Sequence, residues 1–408
     1  MKTDLAIGIV GGGIGGLTAA LALLRRGFDV SVYEQASVLQ EVGAGLQISP
    51  NGVRVLCALG LEQALMDICF EPQGKEIRLW STGQTWKLFD LGAESVARYG
   101  FPYITVHRND LHQLLYRTIE TLAPGTVHLD HRFTAVERND SKVTLAFEGR
   151  ESMTFDVVIG ADGVHSKLRE QLFGSGPARF TGIVAWRGVI PAERLPERLL
   201  KPVGVNWVGP GGHVIHYPIR RGELINFTSV IERQDWKTES WSTAGSNAEY
   251  HADYPGWNED VHTYIEAIPQ PFKWALIARP PMQEWVAGRV ALLGDACHPS
   301  LPFLAQGAVM ALEDAFILGR AFVEFDNVDA ALAHYQAARI PRTTRAVNGA
   351  TANTERFHNP ALAEPAGAQA YIDAQWEPHQ VVDRYEWLFR YDATSIPFSD
   401  SEVATVQA

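Results

Sequence analysis

The segment from residue 5 to Glu34 constrains the fold of this chain more than any other. An apolar run at 5–10 leads into the glycine-rich sequence GGGIGG at 11–16, and an apolar helix pattern continues to residue 27. A second strand pattern at 29–33 ends at Glu34. A strand, a glycine turn, a helix, a strand and an acid in this order predict the βαβ unit that binds a dinucleotide.

Three glycines of this turn have separate predicted roles. Gly11 permits the tight turn, Gly13 lets the backbone approach a pyrophosphate, and Gly16 lets the helix pack closely against the strand. The free N–H groups and positive dipole end of the helix would face the phosphates. Glu34 would accept hydrogen bonds from a ribose. The alternative is a glycine-rich turn in an unrelated α/β fold.

Two later motifs repeat the pattern of a buried strand that runs into glycine and an acid. The sequence GADG at 160–163 follows the apolar residues 157–159, and GDACHP at 294–299 follows the apolar run 290–293. Together with the first motif, they predict a dinucleotide held by several loops, and the third motif indicates a flavin. The chain is therefore expected to be a redox enzyme.

Composition excludes several other classes of protein. The length of 408 residues suits two or three domains, and the net charge of −12 argues against a nucleic-acid partner. No apolar run is long enough to span a bilayer. Cys57, Cys69 and Cys297 are an odd number without metal-ligand spacing, so we expect reduced thiols and no metal site. The first predicted strand starts at residue 5, which favours a cytoplasmic protein without a cleavable signal peptide.

The pattern of elements predicts an α/β protein whose nucleotide-binding domain is interrupted. That domain is expected at 1–75, 101–178 and 280–345. A β-rich substrate domain would be inserted at 76–100 and 179–279, and a helical, aromatic-rich tail would follow at 346–408. The tail would cover apolar surface either at a homodimer contact or within its own chain.

The three motifs, in this order, resemble those of the class A flavoprotein aromatic hydroxylases, the p-hydroxybenzoate hydroxylase-like superfamily. Within it, the chain is most similar to the salicylate hydroxylase and 3-hydroxybenzoate 6-hydroxylase group. The segments that carry this similarity are EVGAGLQ at 41–47, Tyr103 with HRNDL at 107–111, the residues 209–218, and the residues 306–315. The resemblance implies a Rossmann-like, GR2-type FAD-binding domain, an inserted β-rich substrate domain and a helical C-terminal region.

The resemblance also implies the residues that bind the cofactor. Glu34 would hold the adenosine ribose, Arg108 the ribityl or phosphate region, and Asp295 the ribityl hydroxyls. Asp162 is linked to FAD and indirectly to the nicotinamide cofactor, and Pro299 would line the reactive edge of the flavin. The full set expected to bind FAD is Gly11, Gly13, Gly15, Gly16, Glu34, Gln47, Arg108, Asp162, Asp295, Pro299, Gly307 and Ala308.

The activity that the resemblance implies is an FAD-dependent monooxygenase reaction. Such an enzyme consumes NADH or NADPH and O2 and hydroxylates a small phenolic carboxylate through a flavin C4a-hydroperoxide. The helix that begins near Gly307 would direct its positive dipole end at the flavin. A simple phenol has a pKa of about 10, so the site needs a base or a stabilising donor near the substrate hydroxyl.

The expected catalytic residues are His213, Tyr217 and Tyr103. His213 and Tyr217 are four residues apart on one predicted strand and share a face, whereas His216 points to the other face. His213 matches a functional histidine of the resembled hydroxylases and is the leading candidate for the base. The alternative is a histidine satisfied by a backbone carbonyl. Tyr103 matches a substrate-side tyrosine of the same group, and its alternative is an ordinary strand-end aromatic.

The resemblance leaves several substrates open. Pro302 stands where the 3-hydroxybenzoate 6-hydroxylases carry a glutamine, and Gln47 and Phe303 stand where the 6-hydroxynicotinate 3-monooxygenases carry histidines. These residues predict a substrate pocket that is more apolar than in either of those two groups. Such a pocket favours salicylate as the substrate, with decarboxylation to a catechol. The alternatives are 3-hydroxybenzoate 6-hydroxylation to gentisate, 6-hydroxynicotinate 3-hydroxylation, and a flavin-binding protein without hydroxylase activity. No arginine can be assigned to the substrate carboxylate from the sequence alone.

Overall fold

The computed structural model describes residues 4–39, 44–235 and 243–398. Residues 41–43, which contribute to the family resemblance, lie outside the described residues. The strands are β1 (Ala6–Val10), β2 (Asp29–Tyr33), β3 (Gly45–Ile48), β4 (Cys69–Phe70), β5 (Gly74–Leu79), β6 (Thr85–Asp90), β7 (Ile104–His107), β8 (Val127–His128), β9 (Phe133–Arg138), β10 (Val143–Phe147), β11 (Met153–Phe155), β12 (Val157–Gly160), β13 (Arg179–Pro191), β14 (Val203–Gly209), β15 (Gly212–Ile219), β16 (Leu224–Glu232), β17 (Phe272–Ala278), β18 (Val286–Ala287) and β19 (Val290–Leu292).

The helices surround these strands and supply much of the core. In chain order they are α1 (Ile14–Leu24), α2 (Pro50–Ala58), α3 (Glu62–Ile68), α4 (Gly92–Tyr99), α5 (Arg108–Leu122), α6 (Lys167–Phe173), α7 (Asn247–Asp253), α8 (Glu259–Ala267), α9 (Gly307–Glu324), α10 (Val328–Phe357), α11 (Pro365–Gln375) and α12 (Pro378–Phe389). Within the described ranges, no helix is long and apolar enough to cross a membrane.

A six-stranded sheet, ordered β18-β19-β12-β1-β2-β8, forms the nucleotide-binding part. The three strands that precede the sequence motifs are neighbours in it, because β12 pairs in parallel with both β1 and β19. The carboxyl ends of parallel strands lie at one edge of a sheet, where open α/β sheets bind their ligands. The structure therefore brings the three glycine-and-acid motifs together at that edge, as the predicted βαβ unit requires.

A seven-stranded sheet, ordered β17-β13-β16-β15-β14-β5-β6, forms the β-rich part. Its strands are antiparallel except for the parallel pair β14 and β5. An aromatic cluster with α7 and α8 covers one face, where Trp186 stacks on Tyr250 at 4.6 Å between ring centroids. The other face is left to form the wall of a cavity.

The C-terminal helices pack against the rest of their own chain. Phe389 of α12 contacts Tyr99 and Tyr103 edge-on, with ring centroids 5.5 and 5.9 Å apart. This packing agrees with the intrachain alternative for the aromatic tail. The predicted boundary between residues 345 and 346 lies inside helix α10, so the tail does not begin at the end of an element.

Candidate flavin and substrate site

The glycine turn at the end of β1 has the shape that phosphate binding requires. Gly11 has a φ of +106°, and a Cβ atom there would lie 2.4 Å from the carbonyl oxygen of Ala161. A Cβ atom at Gly16 would lie 2.0 Å from the carbonyl oxygen of Gly11. A Cβ atom at Gly13, by contrast, would meet no atom of the described residues within 4 Å. Gly11 and Gly16 are thus needed for packing, while Gly13 leaves space for a ligand.

The loops around this turn are held by side chains. Glu34 accepts hydrogen bonds from the backbone N–H groups of Gly12 at 2.7 Å and Ala36 at 2.9 Å. His112 of α5 is hydrogen-bonded through Nε2 to the carbonyl oxygen of Gly12 at 2.7 Å. Each carboxylate oxygen has a second lone pair, so Glu34 can still accept a ribose hydroxyl.

A buried ionic network positions the third loop. Asp314 accepts hydrogen bonds from the backbone N–H of Gly294 at 3.0 Å and from Arg339 Nε at 2.7 Å, and lies 2.6 Å from His298 Nε2. Burial alone would raise the pKa of the Asp314 carboxyl, but His298 and Arg339 outweigh that effect and lower the pKa. Asp314 thereby holds the turn that carries Asp295.

Two cavities meet at the glycine turn. An outer cavity of about 420 Å³ contains Glu34 and Asp162. An inner cavity of about 310 Å³ contains Arg108 and Asp295. Gly13, Ala161 and Gly163 line both of them. The pair of cavities suits one extended ligand that crosses the N-terminus of α1.

The residues present fit FAD in this space. Gly13 leaves open space at the N-terminus of α1, where a pyrophosphate would bind. The Oδ1 atom of Asp162 is buried and has no hydrogen-bond partner among the described residues, and burial raises the pKa of this carboxyl. Glu34 would hold the ribose and Asp295 the ribityl chain. Gly307 and Ala308, at the N-terminus of α9, also line the inner cavity.

One face of the seven-stranded sheet forms the far wall of the inner cavity. His213, Ile215 and Tyr217 of β15 line it, whereas the intervening His216 does not. On the opposite face, His216 Nε2 accepts a hydrogen bond from Trp207 Nε1 at 3.2 Å. The alternation predicted from sequence therefore holds for this strand.

His213 is buried at the end of this wall. Its ring lies edge-on to Phe303 and Phe357, with centroids 4.9 and 5.1 Å apart. Its Nδ1 atom lies 2.8 Å from Nε2 of His358. Burial, with the neighbouring His358, lowers the pKa of His213 well below its ordinary value. The imidazole is therefore neutral at physiological pH.

Tyr103 lies behind Gln47, which lines the inner cavity. Its hydroxyl donates to Oε1 of Gln47 at 2.9 Å and accepts from Nζ of Lys75 at 3.1 Å. Gln47 and Tyr217 line the inner cavity, and Tyr103 is not among the described residues that do. Burial raises the pKa of Tyr103 and of Tyr217, so both remain protonated hydrogen-bond donors at neutral pH. The geometry thus leaves Tyr103 as a support for Gln47.

The family of the chain is decided by comparison with known sequences. Residues 4–350 match the family described as the FAD binding domain. The chain belongs to this family. The matched range contains all three glycine-and-acid motifs.

Within the FAD binding domain family, the relatives are aromatic-ring monooxygenases. A 3-amino-4-hydroxybenzoate 2-monooxygenase from Streptomyces platensis is 39% identical over 96% of this chain and 97% of its own length. A 6-hydroxynicotinate 3-monooxygenase from Bordetella bronchiseptica is 37% identical over 85% of this chain and 90% of its own length. A solved structure of a salicylate hydroxylase substrate complex is 25% identical, with a TM-score of 0.78 over 100% of this chain and 98% of that one.

These comparisons confirm the resemblance and the fold class predicted from sequence. They also confirm an FAD-dependent enzyme of the aromatic-ring monooxygenase kind, rather than a flavin-binding protein without such activity. They do not distinguish salicylate from the other hydroxylated aromatic acids.

One residue of the expected FAD set lies apart from the others. Pro299 lines a separate small cavity together with Arg169, Arg279 and Cys297, and not the inner cavity. The next residues along the chain, Ser300, Leu301 and Pro302, line the inner cavity instead. The position of Pro299 therefore does not support the role expected for it at the reactive edge of the flavin.

Sequence reasoning missed two parts of the site. Arg187 of β13 lines the inner cavity, and His358, at the end of α10, contacts His213. The strand pattern at 183–188 identifies the element that carries Arg187 but not the face that would meet the cavity. Nothing local in the sequence connects residue 358 with residue 213.

Proposed function

We propose that this enzyme hydroxylates a monocyclic aromatic carboxylate that carries a ring hydroxyl, with NADH or NADPH as electron donor. Bound FAD would supply the redox chemistry that activates O2 for attack on the ring. The observation that carries the proposal is a neutral base, His213, and a buried cation, Arg187, on one wall of the inner cavity.

Arg187 would hold the substrate carboxylate. Burial, with the nearby Arg108, lowers the pKa of its guanidinium to about 10, so the group is still cationic at neutral pH. Its guanidinium lies 5.9 and 5.2 Å from the ring centroids of Phe272 and Trp274. Together with the nearby Arg108, it would attract an anionic ligand. Arginine also matches a carboxylate in a bidentate geometry.

The spacing of the two groups suits a single aromatic ring. Arg187 pairs with Thr228, which pairs with Ile215, two residues from His213 on the same strand. Strand spacing and rise put the two Cα atoms roughly 12 Å apart. With both side chains directed into the cavity, this span accommodates a ring that carries a carboxylate at one side and a hydroxyl at the other.

His213 would accept the proton of the ring hydroxyl. Electrophilic attack needs an electron-rich ring, and a phenolate is more electron-rich than a phenol. The apolar wall formed by Phe303 and Trp274 would exclude water and orient the ring. Salicylate, which the sequence favours, carries its carboxylate and hydroxyl on adjacent carbons. The names of the relatives support 3-amino-4-hydroxybenzoate and 6-hydroxynicotinate, which carry the two groups on opposite sides of the ring and suit this span better.

A panel of four acids tests the proposal. The FAD-loaded enzyme would be assayed with NADH and with NADPH on salicylate, 3-hydroxybenzoate, 6-hydroxynicotinate and 3-amino-4-hydroxybenzoate. We expect at least one acid to stimulate O2 uptake and to yield a product that carries one atom from isotopically labelled O2. If every acid gives only hydrogen peroxide, the proposal is wrong.

Matched variants test the role of the base. His213→Gln should keep FAD but lower hydroxylation by about 10²–10⁴-fold and raise the yield of hydrogen peroxide per NAD(P)H consumed. Raising the pH toward the phenol pKa of about 10 should recover part of the loss. His216→Gln, on the opposite face of the same strand, is the control and should leave coupling unchanged.

A further inference from the structure

A hydrogen-bonded chain of three titratable side chains leads from the inner cavity to the protein surface. Nδ1 of His213 lies 2.8 Å from Nε2 of His358, and Nδ1 of His358 lies 3.0 Å from Oε1 of Glu232. The two histidines are buried, whereas the Glu232 side chain is 54% exposed. The three residues come from β15, the end of α10 and the end of β16, so the fold alone brings them together.

The chemistry of the chain gives it a direction. An ionised carboxylate only accepts hydrogen bonds, so Nδ1 of His358 must carry a hydrogen and donate it to Glu232. Nε2 of neutral His358 is then an acceptor, and it receives the hydrogen on Nδ1 of His213. The remaining nitrogen of His213, Nε2, therefore keeps its lone pair. Glu232 thus selects the tautomer in which His213 can act as a base at the cavity.

The surroundings of Glu232 favour this arrangement. The hydrogen bond from His358 outweighs the effect of burial and lowers the pKa of the Glu232 carboxyl, which keeps it ionised at neutral pH. The rings of Phe303 and Phe357 pack against His213 and fix its plane. His213 is hydrogen-bonded to His358, and the exposed Glu232 connects His358 to solvent.

We propose that His358 and Glu232 are positioning residues that form, with His213, a proton relay between the inner cavity and solvent. This inference rests on the proposed function, because a phenolic ligand must supply the proton. The O–H bond of the ligand breaks and its proton binds Nε2 of His213. The Nδ1 proton of His213 passes to Nε2 of His358, and the Nδ1 proton of His358 passes to Glu232. Glu232 releases the proton to water, and a proton that returns after turnover restores both tautomers.

The test follows ionisation of a bound phenol without turnover. FAD-loaded enzyme, without NAD(P)H, is mixed in a stopped-flow instrument with 4-hydroxy-3-nitrobenzoate, whose phenolate absorbs visible light. The pH is kept below the pKa of the free probe, so that the added probe is mainly the phenol. We expect Glu232→Gln and His358→Gln to slow phenolate formation by about 10–100-fold while affinity and final amplitude change little. Glu223→Gln, a matched loss of charge at the other end of β16, should behave as wild type.

Chemical rescue separates a relay from a structural contact. Because Glu232 is exposed, added formate can reach His358 in a Glu232→Ala variant and should restore the rate in proportion to its concentration. Unchanged phenolate rates in Glu232→Gln and His358→Gln, or an absence of rescue, would overturn the relay. If wild-type enzyme does not bind the probe, or binds it and leaves it protonated, the proposed function fails and the relay fails with it.

Discussion

Replacing Gly13 with alanine should separate FAD binding from folding. Gly13 is the N-cap of α1, with φ −73° and ψ −179°, a conformation that alanine adopts without strain. A Cβ atom there would meet no atom of the described residues within 4 Å. Gly→Ala at such a site changes stability by less than about 1 kcal/mol. The new methyl group would, however, occupy the approach of a pyrophosphate to the helix N-terminus.

The magnitude follows from the bonds that would be lost. Hydrogen bonds to a charged group contribute about 1.5–3 kcal/mol each, so the loss of one should raise the dissociation constant of FAD by about 10–150-fold. Flavin fluorescence during titration of apo-protein measures that constant, and thermal unfolding of the apo-protein measures stability. Gly92→Ala is the matched control, since its Cβ also enters open space, at the start of α4. Wild-type FAD affinity in stable Gly13→Ala would refute the assignment.

Substitutions at three further residues probe the surrounding structure. Glu34→Ala should weaken FAD binding by about 10–150-fold for each lost charge-assisted bond, measured by the same titration, with Glu34→Gln intermediate. Asp314→Asn breaks a buried ion pair with Arg339 and should lower the free energy of unfolding in urea by about 3–5 kcal/mol; a loss below about 1 kcal/mol would contradict the network. Burial lowers the pKa of Lys75 to about 8, so the unfolded chain binds more protons above that pH, and stability should rise from about pH 8 to 10. In Lys75→Met, thermal unfolding should show a smaller rise of stability between pH 8 and 10. An equal rise in both proteins would show that folding does not lower the pKa of Lys75.

Much of the nucleotide-binding part could be predicted from the sequence. The turn at 11–16 and the acids that follow each strand are local patterns, and Gly11 and Gly16 each meet a backbone atom that leaves no room for a side chain. Because three parallel strands end at one edge, local patterns far apart in sequence still predicted one site. Strand alternation likewise predicted that His213 and Tyr217 share a face opposite to His216.

The tertiary structure alone decided which of these faces meets the cavity. Register between strands puts Arg187 beside the wall that holds His213, and the end of α10 brings His358 to the same ring. Pro299 lies outside the inner cavity, whereas Pro302 lines it. The contact between His213 and His358 joins residues 145 positions apart, and periodicity carries no information about it. The sequence by itself therefore determined the cofactor edge and the class of enzyme, whereas long-range packing determined the substrate wall and its route to solvent.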